Sequence, residues 1–182
     1  MLHVLVLNSP IGVVKTTYTE KGISTIDLDK NFNNQISLND LDLSCSNITV
    51  LKHSNERNKM QKLIESWFKN YFSDEHSKNQ VDIPVDNKML SAENFTSKVL
   101  KNLKKVPFGS TVTYKELAEI SGNSKSSRAV GQVMGKNPLP LLYPCHRVIN
   151  SSGKIGNYMH GKGNNVKCWL INFEKKNFRN KT

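Results

Sequence analysis

The chain is poor in cysteine. Three occur in 182 residues (Cys45, Cys145 and Cys168), an odd number with no Cys-x-x-Cys spacing, which argues against a disulfide framework and against a cysteine-built metal site. Long apolar runs are missing as well. No stretch approaches the roughly 18 residues of a membrane span, and the short run Leu5-Val6-Leu7 lacks the basic flank and the small-residue cleavage site of a secretory leader. A reducing interior is therefore expected, nucleus or cytoplasm, with no secretion and no membrane partner. No internal repeat, P-loop or dinucleotide-binding glycine pattern is present. What remains is a soluble globular composition, 37% hydrophobic, of a length that suits one domain or two small ones.

Acidic residues are scarce in one half only. Residues 1–97 carry 10 Lys or Arg against 12 Asp or Glu, whereas residues 98–182 carry 16 against 3, a local balance of +13. The whole basic excess thus belongs to the second half. An asymmetry of this size points to a polyanion, most simply nucleic acid, bound there. A solvated lysine-rich surface is the plainer alternative.

Short apolar runs cut by turn residues (Val4–Leu7, then Asn8–Gly12, then Val13 and Val14, then Ile23–Leu28) predict a small sheet of hairpins up to about Val50. Ser54 is placed to cap a helix whose positions Met60, Leu63, Ile64, Trp67, Phe68, Tyr71 and Phe72 recur at helical spacing, a core stripe. The polar stretch Ser73–Asp86, with Pro84 inside it, predicts a linker that divides the chain into domains 1–86 and 87–182. In the second, Ser91 reads as the cap of a helix that buries Phe95, Val99, Leu100, Leu103 and Val106 and ends at Pro107-Phe108-Gly109. Thr113 and Glu116 have the spacing of a capping box, each satisfying an orphan amide at a helix start. The helix they open packs through Leu117 and Ile120 and stops at Gly122. Ser124 then opens another, with Val130, Val133 and Met134 inward and Gly135 at its end. Two short helices joined by a glycine-containing turn form a helix-turn-helix pattern. The outer face of the second carries Ser126, Ser127, Arg128, Gly131 and Gln132. Glycine in a helix costs about 1 kcal/mol against alanine, so Gly131 implies either a partner approaching the backbone or tight helix packing, and both stay open. A turn-rich loop, Asn150–Tyr158, is placed to wall a pocket. A last helix from about Asn165 buries Val166, Trp169, Leu170 and Phe173 ahead of a basic tail, Lys175–Lys181.

The chemistry concentrates in Pro144-Cys145-His146-Arg147-Val148. An isolated thiol at neutral pH is only a few per cent thiolate, the reactive form, so a nucleophilic cysteine needs a partner that takes its proton. His146 is adjacent, yet in an extended segment neighbouring side chains point to opposite faces. Unless the adjacency is coincidence, a bend or a bridging water has to connect them.

With Asn137-Pro138 and Pro140 leading into this motif, Arg128-Ala129-Val130-Gly131 upstream and Gly156-Asn157-Tyr158 downstream, the chain resembles the O6-alkylguanine-DNA alkyltransferases, also called methylated-DNA–protein-cysteine methyltransferases, from about Phe95 to Glu174. The first ninety or so residues match only in their order of strand, helix and linker. The resemblance implies an α/β (α+β) protein: a small N-terminal ribonuclease-H-like sheet-and-helix domain, then a helical winged helix-turn-helix domain that binds DNA and catalyses. It implies a monomer that needs no cofactor, binds double-stranded DNA containing alkylated guanine through the minor groove, flips the modified base out and moves its alkyl group onto its own cysteine once. O4-alkylthymine stays open as a second substrate.

Carried onto this sequence, the resemblance makes Cys145 the acceptor, His146 the base acting through a water, Glu174 the carboxylate that holds the histidine, and Asn137 the brace of the active-site turn. Tyr114 rotates the nucleotide and gives a proton to the leaving guanine, and Arg128 fills the vacated stack. Thr96, Lys115, Asn123 and Ser151 match phosphate or sugar contacts. Met134, Val148, Ile155, Gly156, Asn157, Tyr158 and Met159 belong to the base pocket, with the carbonyls of Cys145 and Val148 and the Met159 amide facing the base. General chemistry agrees: a base inside a duplex hides its O6 substituent, so extrusion, at a few kcal/mol, is required. Small residues on a helix let it sit in a narrow groove.

Met159 is larger than the small residue expected there, and His160–Asn165 is slightly expanded, which bears on bulky alkyl groups. Some members carry a zinc site of cysteines and histidines in the N-terminal domain. Here His3 is the single candidate near the start and no cysteine precedes Cys45, so no metal is expected. Cys168 reads as a buried helix residue. Two other classes fit less well. A non-catalytic module that recognises alkylated bases lacks the reactive cysteine, and a cysteine hydrolase leaves Arg128 and the basic half without a purpose.

Overall fold

A computed structural model of the chain describes residues 1–29, 48–53, 58–73, 82–91 and 93–179. The chain forms two compact units, one drawn from residues up to Asn87 and the other from Lys88 onward.

The first unit is built on four antiparallel strands, β1 (His3–Ser9), β2 (Gly12–Thr19), β3 (Gly22–Leu28) and β4 (Thr49–His53), in the order β3-β2-β1-β4. Alternation sets its faces: Leu5 and Leu7 of β1 and Val14, Thr16 and Tyr18 of β2 are buried, while their neighbours face outward. Helix α1 (Lys59–Tyr71) buries Ile64, Trp67, Phe68 and Tyr71 of the expected stripe and half-buries Met60 and Leu63, with Phe72 buried at its end. Its cap is Asn58, whose side chain accepts from the Gln61 amide; the expected cap, Ser54, lies outside the described residues, as does Cys45. Two polar residues missed by the stripe, Gln61 and Glu65, are buried beside it and joined at 2.8 Å.

The predicted linker needs correction at its far end. Residues 74–81 lie outside the described residues, but the backbone from Pro84 to Asp86 pairs with the edge of β3: the Ile23 amide donates to the Pro84 carbonyl at 2.9 Å and the Asp86 amide to the Ile23 carbonyl at 2.9 Å. Proline is compatible with this edge because only its carbonyl is used. Gly22 makes the approach possible, since a Cβ there would fall 2.5 Å from the Pro84 oxygen.

The second unit begins with the short α2 (Lys88–Ser91) and α3 (Phe95–Lys104). Ser91 ends α2, and the cap of α3 is Asn94, whose side chain and that of Ser97 each bond the other's backbone. Strand β5 (Val112–Thr113) leads into α4 (Tyr114–Ile120), where Thr113 and Glu116 form the predicted capping box. Ile120 does not pack, being 59% exposed. The buried face of α4 is centred between Leu117 and Ala118, and at 100° per residue Ile120 falls about 110° from that centre. Helix α5 (Ser127–Gly135) starts at Ser126 rather than Ser124, with no side-chain cap, and buries Val130 and Val133 but only half-buries Met134. Strand β6 (Val148–Ile149) runs parallel to β5. Helix α6 (Asn164–Arg179) absorbs most of the expected basic tail: Lys175 and Lys176 are exposed on its surface, yet Asn177 is buried. Cys168 is only half-buried on α6, its sulfur 3.7 Å from the Asn172 amide. No helix among the described residues is long and apolar enough to cross a membrane.

Candidate active site

The segment between α5 and β6 is bent, which answers the geometric difficulty of the motif. The Tyr143 amide donates to the Leu139 carbonyl and the Cys145 amide to the Tyr143 carbonyl, both at 2.8 Å, and Leu141 takes a left-handed φ of 71°. Cys145–Arg147 then form one 3-10 turn capped by Pro144. At three residues per turn, successive side chains diverge by about 120°, so Cys145 and His146 neither oppose nor directly face each other. Asn137 braces the bend from outside it. Its Nδ2 donates to the Tyr143 carbonyl at 2.7 Å and its Oδ1 accepts from the Leu139 amide at 3.1 Å.

The turn divides its side chains between two environments. His146 and Arg147 point into a buried charged cluster around Glu174 of α6. The carboxylate only accepts, so His146 Nε2–H donates to its Oε1 at 2.8 Å. Arg147 donates Nε to Oε2 at 2.8 Å and a second guanidinium nitrogen to Oε1 at 2.9 Å, a bidentate pair, and reaches the Val106 carbonyl at 2.6 Å. The Gly109 amide adds a fourth donor to the carboxylate at 3.1 Å. Burial alone would raise the Glu174 carboxyl, but His146 and Arg147 outweigh it and hold the group well below the usual carboxylate range. Burial lowers the His146 pKa against the opposing pull of Glu174. The imidazole is therefore neutral at pH 7, with Nδ1 as its basic atom.

Cys145 faces the other way, onto a cavity of about 410 Å³. Burial pushes its thiol pKa up, while Asn137, Tyr158 and the nearby Lys167 pull against that rise. Lys167 is completely buried on α6; its Nζ donates to the Val148 carbonyl at 2.6 Å and lies 5.9 Å from the centre of the Tyr114 ring. Burial lowers this ammonium to about 8, with Cys145 opposing. The hydroxyls of Tyr114 and Tyr158 are both raised, by burial first and by Cys145 second.

A family model described as the DNA-binding domain of 6-O-methylguanine DNA methyltransferase matches residues 94–176, the region that holds the motif, the cluster and the cavity. The methylated-DNA–protein-cysteine methyltransferase of Rattus norvegicus is 44% identical over 111 residues, 60% of this chain and 53% of its own length, so the chain spans about half the length of that relative in the match. The corresponding protein of Methanosarcina barkeri is 29% identical over 174 residues, 96% of this chain and 98% of its own. Among solved structures, the Mycobacterium tuberculosis O6-methylguanine methyltransferase matches with a TM-score of 0.72 and 26% identity over 97% of this chain and 94% of that one. Residues 94–176 therefore resemble the DNA-binding domain of that methyltransferase family, and the chain shares the fold of the solved O6-methylguanine methyltransferase. The same organism's OGT in complex with DNA matches with a TM-score of 0.69 and 25% identity, covering 94% and 92% of the two chains.

Against that family, the residues expected at the site fall into three groups. Tyr114, Met134, Cys145, Gly156, Asn157, Tyr158 and Met159 line the cavity. His146, Glu174 and Asn137 stand behind the cysteine. Val148 and Ile155 do not line the cavity: Val148 is buried in β6 with its carbonyl engaged by Lys167, and Ile155 is half-buried in the loop. The expected DNA contacts sit elsewhere on the same unit, with Lys115, Asn123, Arg128 and Ser151 exposed and Thr96 half-buried in a smaller cavity beside Gln132 and Lys136. The Gly131 alternatives narrow, because a Cβ there would meet only the Tyr114 ring, at 4.0 Å, so tight helix packing is not its reason. His3 is stacked on Tyr18, and no group of three or more metal-capable side chains occurs among the described residues. Sequence reasoning missed Arg147, Lys167, Gly135 and His160 as parts of the site, while Asn150 lines the cavity as its loop was expected to. The available signal for Lys167 was a charge within the apolar stripe Val166, Trp169, Leu170 and Phe173.

Proposed function

We propose that the protein repairs DNA by direct reversal, moving the alkyl group of O6-alkylguanine in duplex DNA onto Cys145 in a single turnover. The observation that carries this is a thiol at the wall of a cavity with a buried imidazole and a buried carboxylate hydrogen-bonded to each other behind it. The names of the relatives, and the OGT structure with DNA, support it. Basic residues on the face of α4 and α5 hold the backbone of the duplex, Arg128 takes the place of the flipped base, and Tyr114 turns the nucleotide into the cavity. His146 Nδ1 takes the thiol proton through a bridging water, and the resulting imidazolium is stabilised by Glu174. The sulfur attacks the alkyl carbon, the C–S bond forms as the C–O6 bond breaks, and the guanine keeps the electron pair and gains a proton, with Tyr114 the donor. The product thioether is stable to water, so each molecule reacts once. The chemistry asks for no metal or organic cofactor, and one copy of the chain carries every group named. A protein acting on chromosomal DNA belongs in the nucleus of a eukaryote and otherwise in the cytoplasm.

The test is an intact mass before and after incubation with duplex DNA containing O6-methylguanine, followed by peptide mapping. One added methyl group on Cys145, absent in Cys145→Ala, is the expected result. DNA binding with no mass gain would point instead to a non-catalytic protein that senses alkylated bases. A second experiment addresses flipping. Arg128→Ala is expected to slow transfer from duplex DNA by about tenfold or more while leaving reaction with free O6-alkylguanine base nearly unchanged, since the arginine acts on the stack and not on the sulfur. Equal losses on both substrates would remove it from that role.

A further inference from the structure

The basic excess of the second unit is not concentrated on the face assigned to the duplex. Residues 113–136, which build α4 and α5, carry Lys115, Lys125, Arg128 and Lys136 against Glu116 and Glu119, a balance of +2. Residues 94–109 and 175–178 carry Lys98, Lys101, Lys104, Lys105, Lys175 and Lys176 with no Asp or Glu, a balance of +6, and all six lysines are exposed. At 100° per residue, the four of the α3 region fall within about 120° of one another, opposite the buried Val99, Leu100 and Leu103. The two lysine groups approach each other where the chain leaves α3. There the Gly109 amide donates to Glu174 of α6, and a Cβ on Gly109, at a φ of 77°, would fall 2.6 Å from the Phe178 Cβ and 3.0 Å from its Cγ. The missing side chain at Gly109 thus seats the root of Phe178, while that residue stays 49% exposed. Phe108 stands beside it, half-buried and edge-on to Phe173 at 6.3 Å. None of these residues lines the cavity of Cys145; the junction lies on the Arg147 and Glu174 side of the 3-10 turn.

We propose that this surface is a second nucleic-acid site, which takes a single strand: the lysines hold its phosphates and the Phe178 ring stacks on an unpaired base. A lone exposed phenylalanine is ordinary, and lysines alone suit any polyanion. Their combination is selective. A duplex keeps its bases paired and offers the ring nothing, whereas a single strand presents a flat π-face at every nucleotide, and a cationic track with an aromatic platform is the arrangement that binds one without regard to sequence. An acidic peptide supplies charge for the lysines but no such face at each residue. The fixed root of Phe178 means that little ordering of the platform is left to be done on binding. This activity goes beyond alkyl transfer and does not depend on it, because it uses a different face of the same unit.

The experiment adds a labelled single strand carrying 5-iodouracil to the full chain, with one equivalent of a short unlabelled duplex occupying the α4–α5 face. Binding is read by anisotropy across a salt series, and the photo-cross-linked peptide is mapped by mass. The cross-link is expected on the peptide that holds Phe178. Phe178→Leu should remove it and weaken single-strand binding by about fivefold or more, with duplex affinity unchanged. The double variant Lys175→Gln with Lys176→Gln, which leaves the ring and its seat alone, should lower the slope of log affinity against log salt by about 1.4, two phosphates' worth for a single strand. Unchanged melting temperatures check that the variants are folded, and the lysine pair decides alone if Phe178→Leu is not. Cross-links confined to residues 113–136, or an unchanged salt slope in the lysine variant, would overturn the second site. A poly-glutamate peptide that displaces the strand equally well from the native chain and from Phe178→Leu would overturn it too, by making the surface a general acid-binding one. Methyl transfer is measured beside these and should keep its native rate in every variant; its failure in the native chain would remove the repair function and leave this site standing.

Discussion

Glu174→Ala is expected to cost about 3–5 kcal/mol of folding stability and to abolish alkyl transfer at the same time. The carboxylate neutralises a buried guanidinium and orders a buried imidazole, with Arg147, His146 and the Gly109 amide all donating to it. Removing one partner of such a cluster leaves charge in a low-dielectric interior without compensation, the costliest form of ion-pair loss. The sign of the pH dependence follows from the depressed carboxyl. Its folded pKa lies below the value near 4.3 that the unfolded chain would show. Its contribution is therefore fully present above that unfolded value and is lost as pH falls toward the folded one. Urea unfolding at pH 7 and at pH 3 measures both effects. The native protein should lose stability between the two, and Glu174→Gln, which keeps the shape without the charge, should show a flatter acid limb. A loss of less than about 1 kcal/mol for Glu174→Ala would mean that the cluster is solvated and contributes little, as exposed pairs do.

The parts of this arrangement that periodicity governs were legible from the residues alone. The α1 stripe, the α3 stripe and the Thr113–Glu116 box follow from spacing because each depends on neighbours within one or two turns. Helix starts were less legible. Asn58, Asn94 and Ser126 serve as caps where serines a few residues earlier were expected, since several polar residues precede each helix and tertiary packing selects among them. The site was legible in its identities and not in its electrostatics. Cys145 and His146 are visible in a motif and Glu174 only through the family resemblance, but the bidentate grip of Arg147 on Glu174 joins positions 27 residues apart, and no local rule reports it. His160 escaped for a different reason: its place at the cavity wall depends on a run of left-handed backbone and on an empty glycine position beside it, neither of which a side-chain pattern encodes.

Lys167→Met is expected to shift stability at pH 7 by no more than about 1–2 kcal/mol while slowing transfer by about tenfold or more. Two stability terms oppose each other. The buried ammonium is lowered from 10.5 to about 8, so between those values the unfolded chain binds a proton that the folded one has released, and stability rises with pH through that window. Below it, at pH 7, the buried charge costs up to roughly 3 kcal/mol, which methionine removes. Methionine also leaves the Val148 carbonyl without its donor at 2.6 Å, a loss of about 1–3 kcal/mol, and the two changes largely offset. Nothing offsets the effect on the thiol. Burial already raises the Cys145 pKa, and Lys167 is one of the groups that hold it down, so removing the ammonium raises it further and leaves less thiolate at neutral pH. Alkylation of Cys145 by iodoacetamide across pH 6–10, beside single-turnover transfer, separates the two consequences. The variant's profile should move to higher pH with the fold intact. A profile that stays in place while transfer slows would make Lys167 a support for the Val148 carbonyl, and one that stays in place with transfer unchanged would remove it from the site.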